Sequence, residues 1–318
     1  MDNKSRIVFM GTPEFAVESL RKLVENGYNV VGVITSVDKP AGRGKKLRKS
    51  AVKQYAEQIG LPVLQPKNLK SEDFNAELKK LNPDIQVVVA FRILPEIVWR
   101  LPTKGTFNLH ASLLPDYRGA APINWAIING ETQTGVTTFF IDEKIDTGEI
   151  ILQKEVAILP EDNASSLHDK LMSIGSDLVL KTIDLIESEN IKTQAQPKID
   201  LPKKAPKLNN ENTRILWNEK SEKIHNFIRG LSFYPGAWTK IQTHPQEDFK
   251  KFIIYKSNFL NEKHNLKPAT VITTKKQMKI AADDGFILPE IVKMQGKKQM
   301  DIVSFLNGIK TKDDIKIE

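Results

Sequence analysis

The sequence predicts an α/β protein of two domains, a Rossmann-like parallel-sheet domain followed by a small OB-like β-barrel. Three observations predict it. The first half of the chain alternates short apolar runs with helically spaced ones, the pattern of strands joined by crossover helices. The alternation stops at 196–210, a stretch with three prolines, four lysines and few large apolar residues. Beyond it come short β-rich runs separated by turn residues, as in small barrels. At 318 residues the length is comfortable for two domains. The boundaries these signals set are 1–195, a linker at 196–210, and 211–318.

Taken in order, residues 6–10 read as the first strand. Thr12 is placed to cap a helix with Pro13 at its first position, and Ala16, Val17, Leu20, Leu23 and Val24 repeat at helical spacing up to Gly27. A second strand follows at 30–34. Ser50 opens a helix carrying Val52, Tyr55, Ala56 and Ile59. A short strand at 63–64 precedes a helix opened by Ser71, with Phe74, Leu78 and Leu81 on one side. Val87, Val88 and Val89 make a continuous apolar run, suited to a central parallel strand at 84–90. Further strands are expected at 105–109, 136–141 and 150–156, and a long helix at 163–188. In the second domain Ser221 opens a short helix; strands are expected at 252–255, 269–274, 278–282 and 285–292. Asp301 is placed to cap a last helix ending near Gly308.

Composition removes several classes of chemistry. There is no cysteine, hence no disulfide, thiolate metal site or cysteine nucleophile. No apolar run approaches the roughly 20 residues that span a bilayer, and residues 1–6 lead into the first strand without a secretory or transit pattern. A membrane-free, cytoplasmic protein is expected. The formal net charge is +8, which favours polyanionic partners unless the chain is simply lysine-rich. From 211 onward, basic residues outnumber acidic ones.

Four stretches carry candidate chemistry. The loop at Gly11, Thr12 and Pro13 sits where a dinucleotide fold places Gly-x-Gly-x-x-Gly, but with one glycine, so nicotinamide binding is disfavoured. The run from Gly42 to Lys49 is the densest in positive charge; it is not a P-loop, and Arg43, Lys45 and Lys46 either follow a phosphate backbone or form a solvated face. Asn108 and His110 are two apart in a strand, so they point the same way at a carboxyl end, where open α/β sheets bind ligands. A buried structural histidine is the alternative. Ser112, Leu113, Leu114 and Pro115 follow, as an apolar wall. Asp146, Thr147 and Gly148 spell the aspartic-protease triplet, but a second such aspartate in a β-rich setting is not apparent. An Asx-turn at Asp146 and a proton-transfer role beside His110 both stay open.

These stretches fall in an order that closely resembles the methionyl-tRNA formyltransferases. The match runs through Gly11, Thr12, Pro13 and Phe15, the segments 38–46 and 87–90, Asn108 to Pro115, the run from Tyr117 to Ile123, and Asp146 to Gly148. It continues more weakly at 214–217 and 234–238. The wider folate-dependent formyltransferases share only the Asn, His and Asp constellation. The resemblance implies formyl transfer from 10-formyltetrahydrofolate to the methionine amine of initiator methionyl-tRNA, without a metal or a covalent intermediate. It implies Asn108, His110 and Asp146 as the catalytic group, donor contacts at Ser112, Leu113, Leu114 and Pro115, and tRNA contacts at Arg43, Lys45, Lys46 and the basic barrel. Nothing demands an oligomer, so a monomer is expected. The stretch 89–95 is one residue shorter than in the family, and donor contacts are not carried over to Phe91 and Arg92. Two alternatives compete: a formyltransferase for a small amine, which needs no basic loop, and a non-catalytic tRNA-binding protein.

Overall fold

A computed structural model describes residues 4–41, 46–189, 191–309 and 312–318. The chain opens with β1 (Ile7–Gly11), α1 (Glu14–Glu25) and β2 (Val30–Ile34), then a hairpin of β3 (Lys39–Ala41) and β4 (Lys46–Arg48). It continues through α2 (Ala51–Gln58), β5 (Val63–Leu64), α3 (Glu72–Lys80), β6 (Ile85–Val89), α4 (Glu96–Trp99), β7 (Thr106–His110) and β8 (Arg118–Gly119). After α5 (Pro122–Ile128) come β9 (Gln133–Phe140), β10 (Ile150–Ala157), α6 (Ala164–Glu187) and β11 (Lys204–Ala205). The remainder is α7 (Ser221–Gly230), β12 (Ala237–Gln242), β13 (Lys250–Leu260), β14 (Val271–Thr273), β15 (Met278–Ala281), β16 (Phe286–Met294), β17 (Met300–Asp301), α8 (Ile302–Asn307) and β18 (Lys316–Ile317).

Two compact units result, neither of them contiguous: Met1–Gly119 with Thr134–Ala157 and His168–Lys204, and Ala120–Gln133 with Ile158–Leu167 and Ala205–Glu318. A division at single points, as 1–195 and 211–318, differs from this. The physical reason is apolar: Trp125 and Ile128 of α5 belong to the core that holds Ile224 and Ile228 of α7, and Asn124 Nδ2 donates to the Gly230 carbonyl at 2.8 Å.

The first unit is built on a sheet in the order β10-β9-β7-β6-β1-β2-β5. Neighbours from β7 to β5 run parallel, and β9 joins β7 antiparallel. Order reverses at β1, since β2 lies on one side of it and β6 on the other; ligands bind such sheets outside the carboxyl ends near that switch. β1 and β6 are buried along their whole length, as central strands covered on both faces are. Val8, Met10 and Val88 share one apolar cluster with Phe74 and Leu78 of α3. Local chemistry sets some helix starts: Ser50 Oγ accepts the Lys53 N–H at 3.0 Å. Thr12 does not act as expected, because α1 starts at Glu14 with Pro13 as its uncapped N-terminal neighbour.

In the second unit, antiparallel strands follow the order β14-β15-β16-β13-β12-β18, forming a nearly closed barrel. Its core gathers Trp217, Ile228, Phe252, Ile280, Val292 and Phe305, with the Phe252 and Phe305 rings 5.0 Å apart. α8 is capped by Asp301, whose carboxylate accepts the Ser304 N–H at 2.9 Å.

Candidate active site

β7 ends at the carboxyl edge of the parallel sheet. Phe107 and Leu109 are buried there, and the alternate positions Asn108 and His110 share the other face. Asn108 stands opposite Val88 of β6 and Phe139 of β9. It is half-buried, and its amide forms no hydrogen bond with any described residue.

His110 is buried, at 7% exposure. Its Nε2 lies 2.9 Å from the Tyr117 carbonyl oxygen. A carbonyl only accepts, so Nε2 carries the hydrogen and Nδ1 is the free nitrogen of the neutral ring. Nδ1 faces Asp146 Oδ2 at 3.9 Å, too long for a direct hydrogen bond and within ion-pair reach of a protonated ring. Tyr117 turns the carbonyl toward the histidine from a left-handed backbone, φ 59°.

Asp146 is also left-handed, φ 56°, a conformation aspartate tolerates better than most residues. Its Oδ2 accepts the Gly119 N–H at 3.0 Å. The Asx-turn in this loop belongs to Asp142 instead, whose Oδ1 accepts the Lys144 N–H at 3.0 Å and the Thr147 hydroxyl at 2.7 Å. Asp146 thus has its carboxylate turned to the β7 end. Gly148 completes the triplet for a steric reason: a Cβ there would overlap the Phe140 carbonyl.

The segment after β7 is tied down from within. Thr137 Oγ1 donates to the Ser112 carbonyl at 2.6 Å and accepts from the Leu114 N–H. Gln153 Nε2 donates to both Thr137 Oγ1 and the Leu114 carbonyl, at 2.9 Å each. The Ser112 hydroxyl donates to the Asp116 carbonyl at 2.7 Å. Ser112, Leu114 and Pro115 are buried and Leu113 half-buried, so Leu113 has the most side-chain surface to offer. Sequence reasoning missed Thr137 and Gln153, and Gln196, whose amide bonds to the Asp146 loop. A buried threonine within an apolar strand, a glutamine on a half-exposed strand and a glutamine in a proline-rich segment carry no periodic signal that would have found them.

Arg43 and Lys45 lie outside the described residues, as does the side chain of Lys46; the backbone of Lys46 pairs with Ala41 in the β3–β4 hairpin. The root of that hairpin is fixed. Lys53 Nζ donates to Asp38 Oδ2 at 2.7 Å and to Gln65 Oε1 at 2.6 Å. Hydrogen bonds from Lys53 and then Gln65 hold the Asp38 carboxyl below its usual range. Arg92 is engaged by the main chain, donating to the Pro66 and Lys67 carbonyls. Among the described residues no group of three or more histidine or acidic side chains is placed to hold a metal ion, and no helix is long and apolar enough to cross a membrane.

An amide with free donors, an imidazole with a defined tautomer and a carboxylate beside its free nitrogen can together steady charge on an oxygen and move a proton. Residues 5–183 match the formyl transferase family and residues 207–310 the formyl transferase C-terminal domain. The chain is 54% identical over 314 residues to the methionyl-tRNA formyltransferase of Flavobacterium johnsoniae, covering 99% of each. It is 51% identical over 316 residues to that of Bacteroides thetaiotaomicron, covering 98% of each. Among solved structures it is similar to the N-formyltransferase from Helicobacter canadensis complexed with folinic acid and dTDP-3-aminofucose, with TM-score 0.65 and 25% identity over 89% of this chain and 98% of that one. HypX from Aquifex aeolicus in complex with tetrahydrofolic acid gives 0.65 at 19% identity, over 99% of this chain and 51% of that one, a likeness of fold.

Proposed function

The chain belongs to the formyl transferase family, and within it to the methionyl-tRNA formyltransferases; from that premise we propose that Asn108, His110 and Asp146 carry its reaction. It is an enzyme that transfers the formyl group of 10-formyltetrahydrofolate to the amino group of methionine on initiator methionyl-tRNA, giving formylmethionyl-tRNA for translation initiation. The observation that carries the assignment of residues is the meeting at one strand end of the Asn108 amide and the His110 Nδ1, neither hydrogen-bonded among the described residues, with the Asp146 carboxylate 3.9 Å from that nitrogen.

The methionine amine attacks the formyl carbon of the donor, whose oxygen gains negative charge; collapse of the adduct then breaks the bond from that carbon to the donor nitrogen, and tetrahydrofolate leaves with a proton on that nitrogen, matching the one the amine gives up. The Asn108 amide N–H and the Nδ1–H of a protonated His110 hold that charge. The Tyr117 carbonyl keeps the ring turned so that Nδ1 is the working nitrogen. Asp146 balances the imidazolium and receives the proton that leaves the amine, directly or through water. Gly119 N–H on Oδ2 holds the carboxylate in place for both tasks. Ser112 to Pro115 form the donor wall, with Leu113 making the apolar contact. The basic hairpin, through Arg43, Lys45 and Lys46, grips the acceptor end of the tRNA, and the basic barrel binds its body by phosphate contacts.

A formylation assay with charged initiator tRNA and 10-formyltetrahydrofolate tests the roles. Asn108→Ala and His110→Ala are expected to lower kcat by about 10²–10³-fold while tRNA binding, followed by filter retention, stays near wild type. Turnover unchanged in either variant sinks the assignment. The protein acts as a monomer in the cytoplasm; sedimentation of the purified chain as a dimer, or its recovery in another cell fraction, contradicts this.

A further inference from the structure

The segment 194–203, which takes in the first part of the stretch whose composition reads as a linker, belongs to the first unit and is bonded to its loops at Asp116, Tyr117 and Asp146. Gln194 exchanges both backbone hydrogen bonds with Ile150, at 2.8 and 2.9 Å. Further on, the Lys203 N–H donates to Asp116 Oδ1 at 2.9 Å, and the Lys203 carbonyl accepts from the Tyr117 N–H at 2.6 Å. Between these anchors lies Gln196. Its Nε2 has two hydrogens and two acceptors, the Asp146 carbonyl at 2.9 Å and the Gly148 carbonyl at 2.8 Å. Its Oε1 accepts from Arg118 Nη2 at 2.5 Å.

These bonds close a ring. Gln196 holds the main chain of Asp146 on one side and the Arg118 side chain on the other. Gly119, next to Arg118, holds the Asp146 carboxylate through its N–H. Asp146 is thereby fixed at its backbone and at its side chain by groups tied to one amide, in a left-handed conformation that the loop must be held to keep. The amide's donors are spent inside the protein, so it has none to offer a reacting atom.

We infer that Gln196 is a positioning residue that sets the Asp146 carboxylate against His110. The inference rests on Asp146 acting in the transfer. A carboxylate displaced by an ångström loses both the imidazolium and the amine proton, a loss in turnover rather than binding.

The full-length enzyme with Gln196→Met, Gln196→Glu, Asp146→Asn and the Gln196→Met/Asp146→Asn double variant tests this by steady-state formylation. Gln196→Met keeps the length and removes the hydrogen bonds. It is expected to lower kcat by about 10²-fold and to shift the kcat–pH profile, with KM for donor and for charged tRNA changed by less than about threefold. Gln196→Glu keeps an acceptor for Arg118 but sets oxygen against two carbonyls, and is expected to be as slow. It tests the inference even if Gln196→Met fails to fold. In the Asp146→Asn background the second change is expected to cost less than about threefold, because its target is gone. A fast Gln196→Glu, a loss confined to KM, or losses that multiply in the double variant overturns the inference. Wild-type kcat in Asp146→Asn sinks the role of Asp146 itself; a slow Asp146→Asn beside fast Gln196 variants sinks this inference alone.

Discussion

A neutral imidazole has one donor and one acceptor, and at His110 a backbone carbonyl decides which is which. The Tyr117 oxygen takes the Nε2 hydrogen, so the nitrogen left facing Asp146 is the one able to gain a proton. Spacing alone paired Asn108 with His110, because alternate residues of a strand share a face. Asp146 had no such tie. It reaches the pair through a left-handed turn and a Gly119 hydrogen bond, neither of which has a period. Gly148 shows how tightly that turn is set. Gly148→Ala drives a methyl group into the Phe140 carbonyl, and the backbone of a strand paired on both sides cannot yield as a side-chain tip does. The expected cost is about 2 kcal/mol or more in urea unfolding, with most turnover lost; wild-type stability contradicts the steric reading.

At the scale of elements, what is local was legible. Ser50 and Asp301 cap the helices they were expected to open, because capping needs only one side chain and the next turn. The β12 strand carries little sequence signal. Ala237, Thr239 and Ile241 make a weak alternation, and Trp238 between them is buried as well, on the opposite side of the strand under Arg214 and Lys251 at 5.6 and 4.5 Å from its ring. The 196–210 stretch has a linker's composition because it holds few large apolar residues; what fastens its first part is hydrogen bonding at Gln196 and Lys203, invisible to composition. The basic hairpin is built on a fixed root at Asp38, Lys53 and Gln65. For Arg43→Glu with Lys45→Glu, apparent KM for charged tRNA is expected to rise about tenfold or more with kcat retained, and the salt slope of binding to flatten by about one per lost phosphate contact. An unchanged slope removes the hairpin from the tRNA interface.

Over the whole molecule, charge and protons matter more than any one contact. The net charge of +8 suits a polyanionic substrate. Stability carries a separate mark at His225, in the second unit, where its Nδ1 lies 3.3 Å from Ser257 Oγ and its ring packs on Phe259. Burial, and then the Arg229 charge, push its pKa down to about 4, with Glu290 opposing. Unfolded, the same ring titrates near 6.5. Between those values the unfolded chain binds the extra proton, so stability is full above pH 6.5 and falls as pH drops toward 4. His225→Gln is expected to shrink the stability difference between pH 7 and pH 4.5, in urea titrations, by about 2 kcal/mol after allowance for the ring's partial exposure. An identical pH dependence in both proteins contradicts it.

The sequence by itself determined the alternation that builds the parallel sheet, the change to a small barrel, the pairing of Asn108 with His110, and the family, since periodicity, caps and ordered motifs are properties of the chain read in line. Only the tertiary structure decided the rest. It assigned α5 to the second unit through the apolar core around Ile128, turned Asp146 toward His110, fixed the imidazole tautomer, and bonded Gln196 to the loop of Asp146. Each of these depends on a group meeting a partner far away along the chain, through a bond direction or a steric limit that exists only once both are folded.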